Sequence, residues 1–209
     1  RLPFFLKFRK RGGIMETGPV EELGSDLIRF RLQDFEAEFD QILEELFQAR
    51  SQWSYSHKIR GRWENTYVPI CEVPSVRTVL NLAAQLASRR ANKTLVCGQG
   101  MLRDSFWFNL MEKDEETGWH NHKSKAEASG VCYLKVPDNS GDFLYRLPDG
   151  TTRKLKPKPG AMLLFPSSLN HSVSASNSDD TRISLAFNLF SLPLELEPED
   201  PFGGHPLYR

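Results

Sequence analysis

The sequence predicts a mainly β fold, a sandwich or barrel, with two helices packed against the outside of one sheet. From Lys93 onward, short segments rich in β-branched and aromatic residues follow one another at nearly regular spacing, and turn residues separate them. Such a series of short strands is typical of sandwiches and barrels. Before Lys93, two segments place apolar residues at three- and four-residue steps, which is the period of amphipathic helices.

The N-terminal half begins with two predicted strands, over residues 2–8 and 26–30. A glycine-rich turn at Gly12 and Gly13 separates them. The predicted edge strands in this half would allow a homodimer, because an unpaired strand edge can pair with a second copy of the chain.

Two helices are predicted next. The first spans residues 34–48 with Asp34 as its N-cap, and the second spans residues 75–90 with Ser75 as its N-cap. Their apolar faces consist of Phe35, Phe39, Ile42, Leu43, Leu46 and Phe47 in the first helix, and Val79, Leu80, Leu82, Ala83 and Leu86 in the second. Between them, residues 50–72 show no strong period but carry several aromatic residues, so we expect a packed loop or one that faces the active site.

The C-terminal half is predicted to consist of strands. Their ranges are 93–97, 103–111, 118–122, 129–136, 141–147, 151–155, 161–165, 171–175 and 181–190. We expect a single domain over residues 1–209. Residues 1–92 then supply N-terminal strands and supporting helices, residues 93–192 form the β core, and residues 193–209 form a C-terminal tail.

The composition excludes several functional classes. The 209 residues carry 27 basic and 27 acidic side chains, so the formal net charge is +0 and a nucleic-acid partner is not expected. Three widely spaced cysteines do not form a disulfide framework, and Cys97 and Cys132 lie in apolar runs typical of a core. No apolar run approaches the ~20 residues that a membrane-spanning helix needs. We therefore expect a cytoplasmic protein without a membrane partner.

Three histidines in the C-terminal half form a candidate metal site. His120 and His122 would point to the same face if both lie on one strand, because side chains alternate along a strand. His171 follows on a distant strand, and this layout is typical of a facial metal site inside a β barrel. The spacing of His120 and His122 alone favours the alternative, an ordinary surface pair of histidines.

Arg182 and Ser184 add a possible anion site. They would share one face of the last predicted strand, so a guanidinium and a hydroxyl could bind a carboxylate together. A charged arginine among apolar residues is costly to bury unless it has an anionic partner. The alternative is an ion pair with Asp179 or Asp180 at the edge of the strand.

The stretch from Trp107 to Phe190 resembles the iron(II)/2-oxoglutarate-dependent oxygenases, and within them a bacterial and phage subgroup distantly related to the prolyl hydroxylases. The matching pieces are Trp107-Phe-Asn109, His120-Asn-His122, Ser129-Gly-Val-Cys-Tyr-Leu134, Ser140-Gly141, Pro159-Gly160, Leu164-Phe-Pro-Ser167, His171-Ser-Val173 and Arg182-Ile-Ser-Leu-Ala-Phe-Asn188. The resemblance implies a double-stranded β-helix, the jelly-roll core also found in cupins. It also implies Fe(II) as the metal and 2-oxoglutarate as the cosubstrate.

Roles for single residues follow from the same resemblance. His120 and His171 would bind iron, and Arg182 would bind the far carboxylate of 2-oxoglutarate. Tyr133 lies where prolyl hydroxylases place a tyrosine against that carboxylate, and Ser184 would assist. Asn109 could also line the cosubstrate pocket, or it could be an ordinary polar residue of a strand whose hydrogen bonds are satisfied.

His122 departs from the pattern of the family, which has Asp or Glu at this position. Three alternatives stay open: His122 binds iron directly and completes a three-histidine site, Glu127 or Asp142 supplies a carboxylate, or water fills the third position. A three-histidine site has a higher net charge than a site with one carboxylate, which should change the redox behaviour of the iron.

The predicted function is oxidation, most simply hydroxylation, of a small molecule or a protein side chain, coupled to oxidative decarboxylation of 2-oxoglutarate. A second hypothesis is a cupin-type three-histidine dioxygenase that does not use 2-oxoglutarate. A third is a non-catalytic β-barrel that binds a ligand or partner.

Overall fold

The computed structural model of the protein describes residues 7–10, 13–18, 20–24, 26–56, 58–59, 62–99 and 102–194. Two antiparallel sheets form its centre. The larger sheet has nine strands, and eight of them follow the order β3-β4-β15-β12-β17-β10-β8-β5. These strands are β3 (Glu21–Glu22), β4 (Ile28–Arg31), β5 (Ser54–Tyr55), β8 (Thr66–Tyr67), β10 (Phe106–Met111), β12 (Ala128–Lys135), β15 (Ala161–Pro166) and β17 (Arg182–Ser191), and β9 (Leu95–Val96) pairs with β17 beside this path.

The smaller sheet has four strands in the order β11-β16-β13-β14. They are β11 (Thr117–His120), β13 (Phe143–Arg146), β14 (Thr152–Leu155) and β16 (His171–Val173). Two separate hairpins complete the strands: β1 (Lys7–Lys10) with β2 (Gly13–Glu16), and β6 (Lys58–Ile59) with β7 (Arg62–Trp63). The helices are α1 (Glu36–Gln48) and α2 (Val76–Ala91), and short 3-10 turns span Ala49–Gln52 and Arg103–Ser105.

The larger sheet has a different core on each of its faces, as alternation along β17 illustrates. Ile183, Leu185, Phe187 and Leu189 belong to the large apolar cluster that also contains the buried residues of both helices. The intervening residues Arg182, Ser184, Ala186 and Asn188 therefore face the other way, towards the smaller sheet.

A second apolar cluster joins the two sheets. It contains Tyr133, Leu163 and Phe165 from the larger sheet and Phe143 and Tyr145 from the smaller one. The molecule thus has three layers: helices, the larger sheet and the smaller sheet. This architecture confirms the predicted mainly β fold with two helices packed outside.

The N-terminal region contributes strands to the larger sheet, in addition to the helices that pack on it. Strands β3, β4, β5 and β8 all precede residue 93, and they extend the larger sheet on both sides. In particular, β4 pairs with β15 in antiparallel register from Ala161↔Arg31 to Leu164↔Ile28.

Several predicted boundaries differ from the structure. After residues 11–12 the chain enters β2, so Gly13 lies in a strand and not in a turn. Residues 2–6 of the first predicted strand lie outside the described residues, and so does most of the predicted tail, over 195–209. Strand β9 is limited to two residues, and Asp104 lies in a 3-10 turn that precedes β10.

One of the two predicted helix N-caps is wrong, and the other is confirmed in position but makes no capping bond. Asp34 precedes the N-cap position, which Phe35 occupies, and its backbone has φ 56, outside the extended conformation of an N-cap residue. Ser75 does occupy the N-cap of α2, but its side chain makes no capping bond. Its hydroxyl donates instead to Glu45 of α1, at 2.7 Å. On α1, Phe47 was predicted to be apolar core but is 47% exposed.

Two further structural findings bear on the sequence predictions. All three cysteines are free, and Cys97 and Cys132 are buried as expected. No helix in the described part of the chain combines the length and the apolar character that a membrane crossing requires.

Candidate metal and cosubstrate site

Three imidazoles converge between the two sheets. One ring nitrogen from each of His120, His122 and His171 can be chosen so that all three lie within 4.8 Å of one another. Ring centroids are 4.3 Å apart for His120 and His171, 5.1 Å for His120 and His122, and 5.4 Å for His122 and His171. The structure therefore brings together the three histidines predicted from the sequence.

His120 and His171 are held by the smaller sheet. They are directly opposite each other in the antiparallel pairing of β11 with β16, so their side chains share one face. The Nδ1 atom of each ring is in hydrogen-bond contact with the carbonyl oxygen two residues earlier, Gly118 O at 2.8 Å and Leu169 O at 2.9 Å. When Nδ1–H donates to a carbonyl, Nε2 keeps its lone pair and can bind a metal.

His122 reaches the same point in another way. Strand β11 ends at His120, so the predicted strand over 118–122 is too long and the two histidines do not share one strand. At Asn121 the chain leaves the strand, and the His122 carbonyl accepts hydrogen bonds from the backbone N–H groups of Lys125 and Ala126. The His122 backbone N–H donates to Ser167 O at 2.8 Å, which ties this turn to the end of β15.

Burial keeps two of the imidazoles neutral. The pKa of His171 is lowered to about 3, first by burial and then by nearby His120. The pKa of His122 is lowered to about 4, first by burial and then by His120. A neutral imidazole has the free lone pair that a metal ligand needs, so both rings are ready to bind a cation at neutral pH.

Aromatic rings surround the histidines. Phe143 stacks on His171 with centroids 5.5 Å apart, and Phe165 lies 4.8 Å from the same ring. On the other side, Trp107 lies 5.7 Å from His122. These walls are apolar, and they shield the imidazoles from bulk water on two sides.

Arg182 is buried in the same interior, with 3% of its surface exposed. Its Nη1 donates to the carbonyl oxygens of Ser140 at 2.9 Å and Gly141 at 3.2 Å. These two contacts fix the orientation of the guanidinium inside the protein, and a buried guanidinium favours the binding of an anion such as a carboxylate. Asp179, one of the two acids considered for the alternative ion pair, lies 2.7 Å from Lys113 Nζ.

Tyr133 and Ser184 line the same face as Arg182. Ser184 is opposite Tyr133 on β12, and the guanidinium carbon of Arg182 lies 6.0 Å from the centre of the Tyr133 ring. Tyr133 also belongs to the cluster that contains Phe143 and Phe165, the neighbours of His171. Burial raises the pKa of Tyr133 to about 12, although Arg182 opposes this shift, so its phenol stays protonated and can donate a hydrogen bond.

Asn109 is also opposite Ser184, from the β10 side, but its amide is turned to the preceding loop. Its Nδ2 donates to Glu64 O at 2.6 Å and to Asn65 Oδ1 at 3.3 Å. This geometry favours the interpretation of Asn109 as a satisfied polar residue of the strand that anchors residues 64–65.

The two carboxylates considered as replacement ligands lie outside the cluster. Glu127 bonds to Lys93 Nζ at 2.7 Å, and that bond lowers the pKa of its carboxyl group. Asp142 lies 3.7 Å from Lys154 Nζ. Among the described residues, the group close enough to hold a metal consists of the three histidines alone.

The residues of this interior fit a divalent iron and a dicarboxylate. Three imidazoles provide nitrogen ligands of the kind that iron accepts, and they leave further coordination positions open. The Ser140 hydroxyl is buried beside Arg182 and has no hydrogen-bond partner among the described residues. A carboxylate bound at Arg182 is an acceptor that this donor can use.

Gly141 completes the arginine end of the site, and only glycine fits there. Its φ is +85, and an added Cβ would lie 2.3 Å from the carbonyl oxygen of Ser174. Its own carbonyl holds Arg182, so the turn at this position fixes the guanidinium. Sequence reasoning placed Ser140 and Gly141 only among the matching pieces, without a role.

Sequence reasoning missed Asp104, Tyr67 and Lys125, which form a polar network next to His122. Asp104 Oδ1 accepts a hydrogen bond from the Tyr67 hydroxyl at 3.0 Å, and its Oδ2 accepts one from Lys125. Asp104 was hidden because it fell inside a predicted strand. The position of Lys125, three residues after His122, was the one signal available in the sequence.

Residues 145–188, which include His171 and Arg182, match a family model described as "Putative 2OG-Fe(II) oxygenase". No curated protein matches the chain significantly.

Several solved structures have a similar fold. The epimerase SnoN in complex with Fe³⁺, alpha ketoglutarate and nogalamycin RO has a TM-score of 0.66 and 15% identity, over 85% of this chain and 86% of that chain. HygX from Streptomyces hygroscopicus, with nickel and 2-oxoglutarate bound, has a TM-score of 0.60 and 12% identity, over 85% and 88%. A prolyl-4-hydroxylase from Pseudomonas putida has a TM-score of 0.56 and 18% identity, over 75% and 87%. At these identities the likeness concerns the fold, a jelly-roll core.

Proposed function

We propose that this protein, a member of the iron(II)/2-oxoglutarate-dependent oxygenase superfamily, binds iron through His120, His122 and His171 and binds 2-oxoglutarate through Arg182. One observation carries the proposal: three imidazoles converge in an interior that also buries an arginine. A cation site and an anion site that both face the space between the two sheets suit a metal and a dicarboxylate that chelates it.

Bound iron(II) and 2-oxoglutarate together activate dioxygen, and the decarboxylation of 2-oxoglutarate to succinate and carbon dioxide drives oxidation of the substrate. The residues of the chain position these partners. Carbonyl contacts at Nδ1 fix the rings of His120 and His171 with Nε2 free. Arg182 binds the far carboxylate in a charge-assisted contact, and Tyr133 and Ser184 add donors beside it.

His122 takes the place that a carboxylate occupies in most of the family. A site of three neutral imidazoles leaves the charge of the iron uncompensated by its protein ligands, whereas a carboxylate would cancel one unit of it. We infer that His122 is the third ligand because its ring lies in the cluster, while Glu127 and Asp142 are engaged with lysines elsewhere.

The substrate is proposed to be a small molecule or a protein side chain, and the reaction a hydroxylation. Proteins of similar fold act on both kinds: SnoN was solved with nogalamycin RO, and a prolyl hydroxylase from Trichoplax adhaerens with a peptide fragment. Three free cysteines favour a cytoplasmic location. Two further points stay predictions from the sequence: the protein binds no nucleic acid, and it can form a homodimer.

Turnover of 2-oxoglutarate without substrate tests this function. We expect the anaerobically purified protein, given Fe(II), 2-oxoglutarate and then air, to form succinate slowly. His171→Ala should lose both stoichiometric iron and succinate formation. Trp119→Ala is the matched control, because Trp119 precedes His120 on β11 and its exposed ring points to the opposite face.

Each alternative function predicts a different result. A three-histidine dioxygenase of the cupin type would bind iron but form no succinate. A non-catalytic barrel would contain no iron in the wild-type protein. Full iron content in His171→Ala would contradict the assignment of this residue as a ligand.

A further inference from the structure

His122 differs from the other two histidines in how it is held. His120 and His171 lie on paired strands, and a carbonyl oxygen fixes each ring at Nδ1. His122 lies beyond the end of β11, in a turn that Lys125 and Ala126 close through their N–H groups. A metal ligand on a turn needs another contact to fix its position, since a turn is less rigid than a sheet.

The Lys125 side chain provides such a contact. Its backbone N–H donates to His122 O at 2.9 Å, and its Nζ donates to the Asp104 carboxylate. Asp104 belongs to the 3-10 turn before β10, a segment distant in sequence. The ion pair therefore links the turn of His122 to the segment that leads into β10.

Asp104 is itself fixed at two points. The Tyr67 hydroxyl donates to its Oδ1 at 3.0 Å, and Asn188 Nδ2 donates to its backbone carbonyl at 3.0 Å. Asn188 is fully buried on β17, and its Oδ1 accepts a hydrogen bond from Ser129 at 2.7 Å. Through these bonds the carboxylate is anchored to the central strands of the larger sheet.

Tyr67 connects this anchor to the wall of the site. It packs against Trp107 and Ala186 in a small buried cluster, and the Trp107 ring lies 5.7 Å from His122. The residue that holds the Asp104 carboxylate therefore also packs against the aromatic ring beside His122.

We propose that Asp104 is a positioning residue for His122: anchored by Tyr67 and Asn188, its carboxylate holds Lys125 and thereby sets the turn that presents the third imidazole to the metal. The inference rests on the proposed function, because it requires His122 to bind a metal. It also explains how a ligand can lie outside the sheet. If His122 lay on the same strand as His120, as the sequence predicts, the sheet itself would fix its position and no contact from Asp104 would be needed.

The ion pair is too exposed to matter much for global stability. Side chains of Lys125 and Asp104 are 59% and 28% exposed, and exposed ion pairs contribute little to the free energy of unfolding. Loss of an outer contact to a metal ligand, by contrast, typically costs about tenfold to a hundredfold in metal affinity. Metal affinity and stability therefore report on different roles of Asp104.

Binding of Co(II) alone to the metal-free full chain tests the proposal. We expect Asp104→Asn and Lys125→Met each to weaken Co(II) binding about tenfold or more and to change the visible ligand-field spectrum, with a nearly unchanged melting temperature. Lys93→Met is the matched control, since it removes a lysine from another half-exposed ion pair, with Glu127, away from the histidines. Wild-type affinity and spectrum in both variants would overturn the proposal.

A second measurement asks whether Asp104 acts through His122. In a His122→Ala background, Asp104→Asn should cause no further loss of Co(II) affinity, because the ligand that it positions is gone. An equal loss in both backgrounds would overturn the proposal, since Asp104 would then act elsewhere. His122→Ala by itself tests the proposed function: wild-type Co(II) binding in that variant would remove His122 from the metal site, and the role of Asp104 with it.

Discussion

The guanidinium of Arg182 is fixed in the interior of the protein by contacts with the backbone. Its Nη1 is held by two backbone carbonyls, and the side chain is almost fully buried. A buried cation of this kind stabilises a bound anion strongly, because little water competes for the contact. At the scale of single residues, this arginine is therefore expected to decide the affinity for 2-oxoglutarate.

Arg182→Ala should raise the 2-oxoglutarate concentration needed for half-maximal succinate formation. A hydrogen bond to a charged group contributes about 1.5–3 kcal/mol, which corresponds to roughly tenfold to a hundredfold in affinity. The matched control is Arg146→Ala, because Arg146 is an exposed arginine that lies over the Trp119 ring. An unchanged 2-oxoglutarate requirement in Arg182→Ala would remove this residue from the cosubstrate site.

His122→Asp restores the residue type that most of the family has at this position. We expect the variant to keep iron, because a carboxylate is also an iron ligand, but to change the rate of succinate formation through the lower net charge of the site. Iron content and initial rates measure the two effects separately. If neither His122→Asp nor His122→Ala changes either quantity, His122 lies outside the coordination sphere.

The candidate site residues could be found from the sequence, but the way His122 is presented could not. Side-chain alternation predicted that His120 and His122 would share a strand face, yet the strand ends at His120. The turn that follows depends on contacts with Ser167 and Asp104, which are far away in sequence. Spacing rules describe local geometry, so they cannot foresee a position that tertiary contacts impose.

At the scale of elements, the junction of the two helices is held by a single carboxylate. Glu45 of α1 accepts hydrogen bonds from the backbone N–H of Ser75 at 3.0 Å and from its hydroxyl at 2.7 Å. The negative charge lies at the N-terminus of α2, where the helix dipole favours an anion. In effect a residue from one helix caps the next.

Glu45→Ala should lower the free energy of unfolding by about 1 kcal/mol, the usual effect of losing an N-terminal cap. Urea denaturation measures this change. Glu44→Ala is the matched control, because Glu44 makes only an exposed contact with Gln48 one turn later. Equal destabilisation by both substitutions would show that the effect comes from the contacts that each glutamate makes with a glutamine one turn away in α1, and not from capping.

Strands and helices could be predicted where the periodic pattern of apolar residues extends over many positions. Helix α2 was expected over 75–90 and spans Val76–Ala91, and β17 was expected over 181–190 and spans Arg182–Ser191. Two-residue strands such as β5 and β8 have no period that could be recognised. They exist because β10 offers an edge for pairing with Thr66, which is a tertiary contact.

At the scale of the whole molecule, the site should be a source of stability when it is filled. A ligand at about 100 times its dissociation constant adds about 2.7 kcal/mol to the free energy of unfolding. In a chain of this length that corresponds to roughly 5–10 °C in melting temperature. We expect Mn(II), and then 2-oxoglutarate, to raise the melting temperature in two steps, and a chelator to reverse both.

Arg182→Ala separates the two steps of stabilisation. The variant should keep the increment from Mn(II) and lose most of the increment from 2-oxoglutarate. Thermal shift assays measure both. A full 2-oxoglutarate increment in this variant would mean that the cosubstrate is held without the guanidinium.

The pairing of β4 with β15 determines how far the protein can be shortened from its N-terminal side. A fragment that starts at residue 93 would retain every candidate ligand, yet it would uncover the rim of β15 along Ala161–Leu164 and that of β10 at Phe108. Bare backbone donors and acceptors of this kind recruit strands from other molecules. Minimal versions of the protein should therefore keep the segment from β4 to β8, although none of the candidate metal ligands lies in it.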